Sequence, residues 1–181
     1  MMGNEGSITD EQLMQQIKQG QKASLKMLYQ RHAAALTAFV GQMMNDPYEA
    51  ADVTHEAFIS LWDGSANFRE DKSLRAWLYA IARNKAIDRL RKSNREVLGD
   101  PDPNVPDLDP DPERVAQICE DRSRVRICLD KLSATHRNVV SLSFFEGMNY
   151  REIAEIENVS EGTIKSRVFH AKKLLMHCLS Q

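Results

Sequence analysis

Apolar positions along the chain recur at the three-and-four spacing of helices, and no stretch sustains the alternation of a half-buried strand. Thr9-x-x-Gln12 reads as a capping box that opens a first helix, with Leu13 and Ile17 behind it. Leu25, Leu28, Tyr29, His32, Leu36, Phe39, Val40 and Met43 trace one face of a second. Asp46, Pro47 and Glu49 supply an N-cap, a first-turn proline and an early acid for a third, which buries Ala50, Val53, Ala57, Phe58 and Leu61 and ends at Gly64. Ser73 is placed to cap a long helix running to about Arg95. Its first half carries an apolar stripe at Leu74, Trp77, Leu78 and Ile81. Continued at the same angle, the stripe reads Asn84, Lys85, Asp88, Lys92 and Arg95, so the packing face is expected to turn polar partway along.

Beyond that, a helix is expected from about Glu113 to Leu132, then one capped by Ser133 and stopped by Gly147. Asn149-x-x-Glu152 opens a short helix holding Tyr150, Ile153, Ala154 and Ile156. Asn158-Val159-Ser160 turns the chain, and Ser160 caps a longer helix with Ile164, Val168, Ala171 and Leu175 on one stripe. A short helix, a tight turn and a longer helix predict a helix-turn-helix.

Composition divides the chain. Five of the six prolines, Pro101, Pro103, Pro106, Pro110 and Pro112, fall in one acidic stretch that cannot be a helix interior. Residues 96–121 carry one basic side chain against nine acidic, net −8; residues 1–95 are net +2 and residues 122–181 net +4. The overall charge of −2 therefore averages unlike parts. The expected architecture is all-α: two small helical domains, 1–96 and 113–181, joined by an acidic Pro-rich linker at 97–112, with the helix-turn-helix in the C-terminal domain.

Several function classes fall away. No apolar run spans a membrane, and the N-terminus is not a signal peptide, so the expected location is the cytoplasm. Cys119, Cys128 and Cys178 lack CxxC spacing and read as buried free thiols; no metal or cofactor is expected. His170 and His177 lie about two turns apart, too far for one ion. Glu49, Asp52 and Glu56 share one side of their helix, but no base, nucleophile or glycine loop accompanies them. They read as an acidic docking face or a solvated one rather than an active site. An enzyme with a helical di-metal carboxylate site would need Glu-x-x-His pairs, which the chain lacks.

Two helices carry chemistry. On the last, the face opposite the apolar stripe presents Ser166, Phe169, His170 and Lys173, flanked by Thr163, Lys165 and Arg167. Cations neutralise phosphate, hydroxyls bond phosphate or base edges, and a phenyl ring packs on a thymine methyl. On the long helix 73–95, Arg83, Lys85, Arg89, Arg91, Lys92 and Arg95 make the second half strongly basic, and phosphate is the natural ligand of such a cluster.

These residues support a resemblance. Tyr29 through Arg95, containing Glu49-Ala-Ala-Asp-Val-Thr-His-Glu-Ala-Phe-Ile-Ser-Leu-Trp62 and Ala76-Trp-Leu-Tyr-Ala-Ile-Ala-Arg-Asn-Lys-Ala-Ile-Asp-Arg-Leu-Arg91, resembles region 2 of extracytoplasmic-function (ECF) sigma factors. Leu129 through Ile156 and Ser160 through Lys173 resemble region 4. The resemblance implies a non-enzymatic transcription factor that directs core RNA polymerase to promoters. It implies −35 contacts from Thr163, Lys165, Ser166, Arg167, Phe169, His170 and Lys173. Many relatives carry Arg where His170 stands, and neutral imidazole lacks the bidentate fork of a guanidinium. It implies −10 contacts and opening by Asn67, Phe68, Lys72, Trp77, Asn84, Lys85, Asp88 and Arg91, with a flipped base held by the loop Ser65–Lys72. Trp77-Leu78 stands where housekeeping sigma factors have two tryptophans, which implies weaker melting and a stricter promoter requirement. Asp52, Glu56, Phe58 and Trp62 match the helix that docks on the clamp of the polymerase's largest subunit; a second contact with the flap region is also implied. The acidic linker would thread toward the active-site and RNA-exit channels and yield to the transcript. A partner anti-sigma factor and a role in stress response complete the expectation, with no direct membrane insertion. The rival reading, a response-type activator with a similar helix-turn-helix, would need a receiver domain, and the N-terminal half has no alternating strand-helix pattern to build one.

Overall fold

The computed structural model describes residues 8–44, 46–96 and 124–180, and among them every regular element is helical. In chain order these are α1 (Asp10–Lys18), α2 (Lys22–Met44), α3 (Pro47–Asp63), a 3-10 turn at Ser65–Asn67, α4 (Leu74–Glu96), α5 (residues 124–130), α6 (Ala134–Val140), α7 (Tyr150–Glu157) and α8 (Glu161–Leu179). The acidic stretch 97–112, Cys119 and the first part of the helix expected from Glu113 lie outside the described residues. No helix among the described residues is long and apolar enough to cross a membrane.

Helix starts follow local chemistry. Thr9 and Asn149 each head a complete capping box, with Gln12 and Glu152 reaching back to the cap amide. The Asp46 carboxylate accepts from the amides of Tyr48 (2.8 Å) and Glu49 (3.1 Å), while Pro47 gives up no hydrogen bond at N1. Ser73 Oγ accepts from Ala76 N–H (3.2 Å), and Ser133 and Ser160 cap α6 and α8. The C-terminal end of α5 is closed by Arg137, whose guanidinium donates to the carbonyls of Leu129, Asp130 and Leu132.

One continuous apolar core runs through the chain. It joins Leu13, Leu28, Phe39, Val53, Leu61, Leu78 and Tyr79 of α1–α4 to Val139, Leu142, Ile153, Ile156, Ile164 and Val168 of α6–α8. The halves meet where α7 packs on α4. A smaller cluster of Leu132, Val140 and Ala171 ties the last helix to the segment before it.

Three expectations change. The packing face of α4 does not turn polar at Asn84: it passes through Leu74, Leu78, Ala82 and Ala86, all buried, at i, i+4 spacing. Trp77 and Ile81 lie one row over from this stripe and are only half-buried. The helix from Ser133 does not stay α-helical to Gly147. It ends at Val140, and Ser141–Phe145 forms a wide π turn closed by Glu146 N–H to the Ser141 carbonyl (3.1 Å). Leu142 lies inside this turn, whereas Phe144 and Phe145 are exposed. Finally, Cys128 and Cys178 are not free thiols; they form a disulfide across 50 positions of sequence, joining α5 to the end of α8.

Candidate nucleic-acid interface

The C-terminal face is built by a sharp turn. Asn158 closes α7 in the left-handed region (φ 54°), which asparagine tolerates better than most residues, and its N–H bonds the Ala154 carbonyl. Two residues later the Ser160 hydroxyl accepts from Thr163 N–H at 3.2 Å and lies 2.9 Å from the Thr163 hydroxyl. Ile164, Val168 and Ala171 are buried. That anchoring turns Lys165, Ser166, Phe169, His170 and Lys173 to solvent, as their spacing predicts, with Thr163 and Arg167 half-buried beside them. Phe169 is 66% exposed, with its ring edge-on to His170 at 5.6 Å between centroids. An aromatic ring held in water beside cations is suited to meet a base. Lys165 pairs with Glu161 one turn earlier (3.0 Å), an exposed contact worth little, which a phosphate can displace.

The second face lies on α4 and the loop before it. Asn67, Asn84, Asp88 and Arg91 are exposed, and Arg91 lies 3.9 Å from Asp88. Trp77 is half-buried against Phe68, with 5.1 Å between ring centroids. Phe68 itself is buried, under the ammonium of Lys18 at 5.6 Å. Lys85 is half-buried with its ammonium 3.8 Å from Glu56. Lys72 is exposed but paired with Glu155 of α7 (2.7 Å).

The acidic face of α3 is less bare than its spacing suggests. Arg89 of α4 donates to Glu49 at 2.5 Å and to Glu56, and lies 3.9 Å from Asp52. The hydrogen bond to Glu49 and then that to Glu56 raise the guanidinium's pKa above its usual value, against the opposing effect of burial. Asp52 stays exposed and Trp62 half-buried, while Phe58 is 3% exposed and packs against Tyr29 at 4.8 Å between centroids. Phe58 therefore shapes this face from beneath.

Sequence reasoning did not anticipate a seam of ion pairs and hydrogen bonds between Ser73 with α4 on one side and the stretch from Glu146 to Glu157 on the other. Arg75 and Tyr79 both donate to Glu146, Ser73 donates to Glu152, and Arg83 grips Glu157 with two parallel bonds of 3.0 and 3.1 Å. One signal was available: Glu157 sits four residues after Ile153, on the packed side of α7, where an unpartnered charge would be costly. Among the described residues no group of side chains could hold a metal ion.

Comparison with known proteins gives these faces a context. Residues 28–96 match the family model Sigma-70 region 2, and residues 122–175 match Sigma-70, region 4. The ECF RNA polymerase sigma factor SigL of Mycobacterium tuberculosis is 32% identical over 88% of this chain and 90% of its own. The RNA polymerase sigma-H factor of Pseudomonas aeruginosa is 29% identical over 92% of this chain and 91% of its own. Among solved structures, the sigma factor RpoE in complex with the anti-sigma factor NepR, from Bartonella quintana, superposes with a TM-score of 0.69 at 28% identity, covering 86% of this chain and 96% of that one. CnrH in complex with the cytosolic domain of CnrY shares the fold, with a TM-score of 0.68 at 24% identity over 94% of this chain and 97% of that one.

Proposed function

Because this chain belongs to the extracytoplasmic-function family of RNA polymerase sigma factors, we propose that its two outward helix faces are the two promoter grips of one initiation factor. It binds core RNA polymerase, directs promoter-specific transcription initiation and is controlled by an anti-sigma factor. Residues 1–96 engage the −10 element and the polymerase, residues 97–112 are the tether, and residues 113–181 read the −35 element through a helix-turn-helix. Lys165, Ser166, Phe169, His170 and Lys173 reach base edges and phosphate from α8, with Thr163 and Arg167 on the flanks. Asn67, Lys72, Trp77, Asn84, Lys85, Asp88 and Arg91 face the opened −10 strand, with Phe68 supporting Trp77. Asp52, Glu56 and Trp62, backed by Phe58, dock on the polymerase clamp, and a further contact reaches the flap region. We assign the chain no catalytic step, metal or cofactor of its own, and place it in the cytoplasm with its polymerase.

The observation that carries this reading is the α8 face: a capped helix whose inner stripe is buried and whose outer stripe alternates cations, a hydroxyl and an exposed aromatic. Run-off transcription with purified core polymerase on genomic DNA tests it. Discrete transcript starts that depend on this chain are expected; no promoter-specific start in the absence of inhibitor would sink the assignment.

A further inference from the structure

We propose that α1, which lies outside the matched stretch 28–96, is a working part of the −10 grip: Lys18 in its last turn is a positioning residue that holds Phe68 and Glu70 and so sets the shape of the loop Ser65–Lys72 before the opened strand arrives. The inference rests on the −10 assignment above and adds to it a residue from an element which that assignment leaves out.

α1 is built as a fixed post. A capping box sets its start, and Leu13, Met14 and Ile17 are at most 1% exposed. Asp10 binds Arg31 and lies 2.6 Å from His32 Nε2, while Ser24 Oγ donates to the Gln16 side chain at 2.5 Å. Both ends of α1 are thereby tied to α2. The loop is the opposite case, because its own bonds are local. Asn67 N–H reaches the Gly64 carbonyl (3.0 Å), Phe68 N–H that of Ser65 (3.1 Å), and the Arg69 guanidinium donates to Asp71 at 3.0 and 2.9 Å. These bonds curl the chain without fixing it to another element.

Lys18 supplies a tie between the two. Its ammonium lies 5.6 Å from the centre of the Phe68 ring and 3.8 Å from Glu70 Oε1. Phe68 packs in turn on Trp77 of α4, with 5.1 Å between ring centroids. Contact therefore runs from the buried face of α1, through Lys18 and Phe68, to the ring assigned to the opened strand. A groove of about 220 Å³ opens between α1 and the loop, lined by Glu11, Met14, Gln15, Lys18, Phe68 and Glu70, and Lys18 spans it. The Lys18 side chain is 25% exposed against 71% for Glu70, so the ammonium is drawn onto the ring and not extended into water. A lysine that only balanced the C-terminal dipole of its helix would do so equally well pointing at solvent. A site for an unpaired strand gains from being ordered in advance, since a loop that orders only on binding costs affinity. Loss of the tie is therefore felt as slower capture of the strand, and not as a charge removed from the DNA.

Holoenzyme carrying Lys18→Met, which keeps an unbranched apolar stem and removes the ammonium, tests this on a promoter with 2-aminopurine in the −10 element. Opening should slow by roughly three- to tenfold. Lys18→Arg should restore it, because a guanidinium also stacks on an aromatic face. In a Phe68→Leu background, which lacks the ring, Lys18→Met should add little further loss. The slope of log affinity against log salt should stay at its wild-type value; a slope reduced by about 1 would show that Lys18 touches phosphate directly and would overturn the positioning role. Binding to core polymerase and to a duplex carrying only the −35 element should be unchanged. An equal loss in those two assays marks general damage to the fold and overturns the proposal, as does opening at the wild-type rate. A wild-type chain that starts no promoter-specific transcript sinks the promoter reading and this inference with it. Normal wild-type starts with an unaffected Lys18→Met chain sink the inference alone.

Discussion

Phe169 and Lys165 sit one turn apart on α8, and their chemistries suit them to different work. A lysine contributes a point charge to any phosphate, whereas a phenyl ring discriminates only where a thymine methyl or similar surface meets it. In the holoenzyme, Lys165→Ala is therefore expected to weaken binding to all −35 variants alike and to reduce the salt slope of log affinity by about 1. Phe169→Ala should leave that slope alone and lose about 1 kcal/mol of discrimination at one base pair. Affinity titrations over several salt concentrations and single-base variants separate the two; interchanged signatures would refute the assignment. Tyr79 is a different kind of residue, buried at the seam with its hydroxyl donating to Glu146 at 2.7 Å. Burial first, then the hydrogen bond and charge of Glu146, push its pKa above the ordinary tyrosine value, with Arg75 opposing. The neutral form is the one the fold stabilises. That contribution is whole below pH ~10, where unfolded tyrosine is also neutral, and is lost as pH rises beyond it. Tyr79→Phe should cost about 1 kcal/mol near neutral pH and flatten the alkaline loss of stability, read from urea midpoints at several pH values.

At the scale of elements, what the sequence reveals depends on how local the cause is. Thr9, Asp46, Ser133, Asn149 and Ser160 were legible as caps because a cap is a contract among four neighbouring residues. The α8 face was legible because one helix period fixes it. The π turn at Ser141–Phe145 was not, since nothing in those five residues forbids an ordinary helix and the burial of Leu142 beside Met148 is a tertiary matter. The run of Ala82 and Ala86 was missed because alanine is a weak hydrophobic signal, yet both residues are fully buried. The Cys128–Cys178 bond was hidden in a spacing of 50 residues that only the fold brings together. Closing a loop of that length stabilises by about 4 kcal/mol on the chain-entropy account. A thiol reductant should therefore lower the thermal midpoint of the wild-type chain and leave Cys128→Ser unmoved. An equal response in both would show that the bond does not form in solution.

Across the whole molecule, the sequence pointed to separate grips, and the structure adds that they share one core and one charged seam. The acidic α3 face shows the same sharing on a smaller scale, with Arg89 of α4 spending its hydrogen bonds on Glu49 and Glu56. Such cross-links escape periodicity, which reports faces and not what faces them. Glu157 has a consequence for how this chain can change over generations. Positions 83, 157 and 167 lie on three different helices, yet a single carboxylate answers to both arginines. A substitution at any one of them alters the setting of the other two, so drift at this point is not free for either half alone. The three positions should therefore be inherited as one trait, and promoter preference in the last helix should carry the imprint of a residue 84 positions upstream that never touches the same base.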